Sequence, residues 1–137
     1  MAVRVNESMR LEKPQKQRGQ GQIVNSNGQR DGKVWGQRAA WVDYSGPVDG
    51  KMVGIGFFDH PQNPRHPTRW HARDYGLFAA NPFAEHEMDA AQPKGTGDLR
   101  LPAGESITFR YRLYLHRGNA AEAKVAERFT AYAAGVQ

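Results

Sequence analysis

The chain has 137 residues and a mass of 15.3 kDa, the size of one domain or of part of a larger one, and such a length buries roughly two-thirds of the surface its unfolded form exposes. Apolar residues make up 39% and mean hydropathy is −0.76, so the core is assembled from scattered aromatics and short aliphatic runs, and no stretch approaches the ~18 consecutive apolar residues of a membrane span. The absence of cysteine excludes disulfides, thiolate metal sites and thiol nucleophiles, and the net charge of +5 is concentrated in residues 1–38, which hold eight Lys and Arg against three acids.

That basic excess is interleaved with Gln and Gly (KPQKQRGQGQ), and no aromatic precedes Trp35. The stacking platforms that single-stranded nucleic acid needs are missing, so the expectation is a solvated polar segment without a nucleic-acid partner. The opening MAVRVNESMR has no apolar h-region, and no signal peptide is expected. The expected setting is the cytoplasm or periplasm, away from the membrane. Asn6-Glu7-Ser8 is a glycosylation sequon to which nothing else in the chain gives a role.

In chain order, residues 2–5 read as a short strand, followed by a polar loop through Pro14 to Gly21. Residues 22–26 form a second strand, closed by the turn signal Asn27-Gly28. Residues 33–44 (KVWGQRAAWVDY) carry small and aromatic residues on both period-2 faces, as expected of a strand between packed layers. Trp35 and Trp41 share one of those faces and are expected in the core. Ser45-Gly46-Pro47 and Asp49-Gly50 signal a turn, and the strand at 52–58 completes a long hairpin of 33–44 with 51–58. Gly54 and Gly56 fall on one face there, which implies close approach of another backbone or a ligand.

Residues 59–75 carry prolines 61, 64 and 67, three histidines and three arginines; such proline density predicts an ordered loop or a bent edge strand. Residues 76–81 predict a short buried strand, 85–96 a polar connection, and 97–101 a lead into the turn Pro102-Ala103-Gly104. Residues 106–116 (SITFRYRLYLH) alternate most clearly. Ile107, Phe109, Tyr111, Leu113 and Leu115 make a core face; Thr108, Arg110, Arg112, Tyr114 and His116 make a polar one. Asn119, with Glu122 three residues on, is a capping box for an amphipathic helix over 120–134, with Val125, Phe129 and Tyr132 inward. The sum is one all-β domain over 1–137, an antiparallel β-sandwich with a single C-terminal helix.

The run FFDHPQNPRHPTRWHARDYGLFAANPF, preceded by VWGQRAAWVDYSGPVDGKMVGI and followed by GTGDLRLPAGESITFRYRLYLHRG, resembles a bacterial family labelled PmoA-like or "methane oxygenase", a domain of unknown function. The resemblance covers essentially the whole chain and corresponds to the C-terminal half of the family's usual length. It implies a sandwich of the supersandwich or jelly-roll-like kind, a carbohydrate ligand by analogy, and a missing N-terminal half that a second copy or another chain could replace.

Three constellations carry the chemistry. In the loop, His66 and His71 are acid–base candidates, with Asp59 or Asp74 to orient an imidazole or act as base. The alternative makes His60, His66 and His71 ligands of a divalent transition metal in an oxidative or other metal-dependent enzyme, which requires the prolines to bend the loop, because the spacing fits neither HxH nor HExxH. Otherwise these histidines brace a rigid loop. On the polar strand face, Arg110, Arg112 and Tyr114 offer forked donors and a stacking plane to a sugar or uronate, with Arg73 as a further anchor. Trp70, inside the polar loop, is the ligand-stacking tryptophan. Glu85, His86, Glu87 and Asp89 read as a solvated acidic loop. No nucleophile elbow, Walker loop or dinucleotide fingerprint is present, and no cofactor follows. Carbohydrate binding or processing leads; a metal enzyme and a non-catalytic domain that pairs into a homodimer through unpaired sheet edges are the alternatives.

Overall fold

A computed structural model describes residues 1–135. Its strands are β1 (Ala2–Arg4), β2 (Gln22–Asn25), β3 (Trp41–Val48), β4 (Lys51–Asp59), β5 (Trp70–Ala72), β6 (Leu77–Ala80) and β7 (Tyr111–Arg117), with a one-turn helix α1 (Glu85–Met88) and a longer helix α2 (Val125–Ala133). They form two antiparallel sheets, one ordered β1-β6-β5 and the other β2-β3-β4-β7. Ile23, Val42, Tyr44 and Phe57 of the larger sheet meet Trp70, Ala72, Phe78 and Ala80 of the smaller in one buried core. Phe57 stands edge-on to Trp70 and Phe78, with ring centroids 5.1 and 5.4 Å apart. Each such ring contributes about 1.5–3 kcal/mol through its burial. The opposite face of the larger sheet packs a second cluster, in which Phe58, Trp41 and Tyr114 lie against Val125, Phe129 and Tyr132 of α2.

The turn after β2 forms as its sequence demands. Gly28 takes a positive φ of 77°, and the buried Asn25 side chain accepts the amides of Asn27 and Gln29 at 3.1 and 3.0 Å. The capping box forms as well: Asn119 Oδ1 accepts the Ala121 and Glu122 amides, and Glu122 accepts the Asn119 amide at 2.9 Å. Helix α2 begins only at Val125, because Lys124 is left-handed at φ 53° and interrupts the turn that the box opens.

Three expectations about strands are corrected. Residues 33–44 are not one strand: a 3-10 turn over Asp31–Val34 and the left-handed Gly36 (φ 72°) precede β3. The hairpin turn is Asp49-Gly50 alone, both at positive φ, closing a two-residue connection between Val48 and Lys51 of the kind that matches strand twist. Ser45, Gly46 and Pro47 therefore lie inside β3. Gly46 is there because Met9 crosses the strand, and a Cβ would meet its Cα at 2.5 Å. Pro47 is tolerated because β2 stops pairing at Ser45, so no ladder bond is lost on that side.

The last strand is shorter than 106–116, because β4 ends at Asp59, the partner of Tyr111; the Arg110 carbonyl still accepts the His60 amide, but residues 106–109 have no strand partner among the described residues. Its alternation is real but its environment is inverted. Leu113 and Leu115 pair with Phe57 and Ile55 on the inner face; however, the narrower sheet does not reach over them, and they are 37% and 73% exposed. Tyr114 and His116, on the polar face, lie inward beneath the C-terminal segment, where Tyr114 packs on Phe58 and His116 reaches Asp43.

Candidate functional site

Asp59 closes β4 as a buried carboxylate and organises the loop that follows. Its Oδ1 accepts from Asn63 Nδ2 at 2.7 Å, and its Oδ2 accepts the Thr68 amide at 3.0 Å and faces His66 Nδ1 at 2.8 Å. Asn63 in turn accepts the Arg110 amide and donates to the Arg110 carbonyl, both at 2.6 Å, tying the loop to the approach of β7. Holding Nδ1 on a carboxylate fixes the imidazole and leaves Nε2 as its second, outward nitrogen. The His66 side chain is one-fifth exposed, at 20%. The expected partnership of Asp59 and His66 is therefore present.

The remaining loop residues go elsewhere. His60 stands edge-on to Tyr132 of α2, with ring centroids 5.1 Å apart, and its Nδ1 accepts the Gln62 amide. In β5, Trp70 and Ala72 point into the core, so the strand alternation turns His71 outward onto the edge of Trp35, with centroids 6.3 Å apart. Burial, and then the charge of Arg73, push the His71 pKa down. His60, His66 and His71 thus face three different neighbourhoods and do not fit a shared metal; among the described residues no three His, Asp or Glu side chains form a metal-binding group. Asp74 sits beyond the far end of β5 and orients neither His66 nor His71; its side chain accepts the Tyr75 amide and its backbone carbonyl the Tyr44 hydroxyl.

The tryptophan roles are exchanged. Trp70 is a core residue, fully buried, and donates its indole N–H to the Ala39 carbonyl at 2.8 Å. Trp35, outside any strand, is half-buried beside Arg73. The Arg73 guanidinium lies 5.5 Å from the ring centroids of both Trp35 and Tyr75, a cation–π arrangement. A cavity of about 230 Å³ opens there, lined by Gly32, Trp35, Ala72, Arg73 and Asp74. It adjoins a second cavity of about 360 Å³ that shares Gly32 and Asp74 and adds Glu12, Arg18 and Asp31. Together they form a polar groove with one aromatic wall.

The strand face expected to bind ligand is occupied by the protein itself. The Tyr114 hydroxyl donates to the Ala123 carbonyl at 3.3 Å, and the Arg112 guanidinium stacks 4.5 Å from the Tyr132 ring centroid. Arg110 lies before the strand and is exposed, held through its backbone. These residues brace α2 and the loop, because α2 covers the face that sequence alternation leaves looking free.

Two polar clusters escaped the sequence reading. Glu85 is buried, not solvated: it pairs with Arg38 and with Arg69 Nε at 2.7 Å, and Arg69 also reaches Asp89 at 3.2 Å. Burial opposes ionisation of Glu85, but the two guanidinium groups outweigh it and hold its pKa below the usual carboxylate range. The second is Asp43 with His116, their side chains 0% and 2% exposed and 2.6 Å apart across the sheet. Of the two glycines in β4, Gly54 was its signal, since the His116 ring fills the space where a Cβ would stand, whereas the space over Gly56 is taken by Phe58 and Val125.

Residues 1–130 match the model of a family of unknown function, DUF6807. The chain belongs to that family. Neither the curated proteins nor the solved structures contain a match to it. The DUF6807 span includes every residue of the Asp59–His66 pair and of the Trp35–Arg73 groove. Among the described residues of this DUF6807 chain, no helix is long and apolar enough to cross a membrane.

Proposed function

We propose that this chain is a carbohydrate-binding domain of the supersandwich or jelly-roll-like kind, related to the PmoA-like proteins, and that the sugar lies in the groove between Trp35, Arg73 and Asp74. The observation that carries the reading is the pairing of a half-buried indole wall with a guanidinium and several carboxylates around contiguous polar cavities. Sugar rings present an apolar face and a hydroxyl edge, which an aromatic plane and forked donors or acceptors match. Titration calorimetry against neutral oligosaccharides and uronates tests it. Saturable binding that Trp35→Ala or Arg73→Ala weakens by about tenfold or more, or roughly 1.4 kcal/mol, supports the reading. Binding indifferent to both changes overturns it. Asp59 and His66 line neither cavity of this groove, so the pair, with His66 Nε2 as proton acceptor, is a candidate for processing only a part of the ligand that extends beyond the groove.

A second reading, self-association, is favoured by β7. Its outer edge has no strand partner among the described residues, and Leu115 is 73% exposed on the inner face. Such an edge is a template for strand addition, and a second copy aligned antiparallel through it would place the Leu113 and Leu115 side chains of both copies on one continuous face. Analytical ultracentrifugation is expected to show a concentration-dependent dimer that Leu115→Lys converts to monomer; a monomer at all concentrations rejects the pairing.

A further inference from the structure

We infer a second binding site, for a small carboxylate with a compact apolar body, between α2 and the outer face of β2 and β3. A cavity of about 290 Å³ lies there, floored by Val24, Trp41, Ala120 and Val125, with Arg30 and Lys124 at its rim. It shares no lining residue with the groove at Trp35 and does not depend on that groove binding sugar. A second cavity of about 240 Å³ continues it past Arg30 toward Asn119.

The lining has the composition of a small-molecule site: mostly apolar walls with a few charged groups that set orientation. The aromatic part of the floor is the indole of Trp41, half-buried at the margin of the cluster beneath α2, so part of its ring remains to face a ligand. The charge is asymmetric. Arg30 makes no ion pair among the described residues, whereas Lys124 faces Glu127 only at 3.7 Å in an exposed pair. An exposed pair of that kind contributes little, roughly 0–1 kcal/mol, and yields readily to a ligand. The unengaged cation is therefore the guanidinium, whose planar fork matches a carboxylate. An apolar body on the Val24–Trp41 floor with its carboxylate toward Arg30 satisfies both halves of the site. A neutral ligand leaves the guanidinium without a partner, and a polyhydroxylated one leaves the floor facing hydroxyls.

Benzoate is the probe, followed by amide chemical shifts at neutral pH. Expected are saturable shifts centred on Val24, Ala120, Ala121 and Val125, at least about tenfold weaker binding in Arg30→Gln, and tighter binding in Glu127→Gln, which removes the one rim anion. Benzyl alcohol, of the same shape without charge, is expected to bind at least about tenfold more weakly than benzoate. Both substitutions lie on exposed or half-exposed positions, and an otherwise unchanged amide spectrum verifies the fold. Shifts that do not saturate, shifts that saturate elsewhere, equal affinity for benzyl alcohol, or an Arg30→Gln protein that binds as well as the parent each overturn the proposal.

Discussion

Asp59→Ala is expected to destabilise the fold by about 3–5 kcal/mol, and His66→Ala by only about 1–2 kcal/mol. The alanine at 59 strands the Asn63 amide and the Thr68 N–H, both buried, without their acceptor. Each orphaned donor costs roughly 1–3 kcal/mol. Losing Asn63's orientation also loosens its two bonds to Arg110, and with them the entry into β7. Removing the His66 ring costs less, because the ring is one-fifth exposed at 20% and water can take its place on an oxygen that still accepts the Thr68 amide. Urea unfolding of the two variants measures the difference. A His66→Ala protein as unstable as Asp59→Ala makes the histidine a structural brace. A stable fold with lost processing of a bound sugar assigns the imidazole to chemistry. Asp59→Asn is a useful third point, since its side chain keeps one acceptor oxygen while the other becomes a donor facing Thr68 or His66.

The strand positions that local chemistry decides were legible in the sequence. β1, β2 and β6 fall where residues 2–5, 22–26 and 76–81 predict them, and Asn27-Gly28, Asp49-Gly50 and the Asn119–Glu122 box do the work their residue types imply. What local pattern cannot reveal is which face a neighbour covers. The alternation over β7 is evident in SITFRYRLYLH, yet the apolar side stays bare because the opposing sheet has three strands, while on the polar side Tyr114 is drawn in beneath α2 and His116 onto Asp43. Trp70 was mistaken for a surface residue because its sequence neighbours are Arg69 and His71. In β5 His71 points away from the core that Trp70 enters, and Arg69, just before the strand, is drawn in by Glu85. Ser45-Gly46-Pro47 has the composition of a turn, but the crossing of Met9 is what requires the glycine. In the candidate site, Asp59 with His66 was readable from a loop rich in both residue types. Trp35 with Arg73, 38 residues apart in the chain, was not, since only the side-by-side placement of the turn after Asp31–Val34 and the end of β5 creates it.

The same distance argument applies to Asp43 and His116, the pair expected to govern stability with pH. Burial opposes the His116 imidazolium, but the hydrogen bond to Asp43 and its charge outweigh that, and carbonyl oxygens of Arg117 and Gly118 add to them, so the pKa is raised above the ordinary histidine value. A raised folded-state pKa means that the pair's contribution is complete below about pH 6.5, the ordinary value, and is lost as pH climbs through the raised value. Stability is therefore expected to decline from neutral toward alkaline pH, with a slope of at most about 1.4 kcal/mol per pH unit for one proton. His71 acts in the other window. Its lowered pKa favours the neutral ring in the fold, so its contribution is present above the ordinary value and is lost on acidification. Thermal unfolding of the parent and of His116→Gln between about pH 4 and 9 separates the two: the alkaline decline is expected to flatten in the variant while the acid limb, below about pH 6.5, persists. Asp43→Ala is the severe case. It leaves a buried imidazole with no anion and is expected to cost about 3–5 kcal/mol below pH 6.5 and less above it, as the ring gives up its proton. Because the His116 ring fills the space over Gly54 and spans from β7 to β3, that loss should loosen the edge strand first, with faster amide exchange in β7 than in β3. An equal loss at every pH would show that His116 is neutral in the parent and that the pair is held by a hydrogen bond alone.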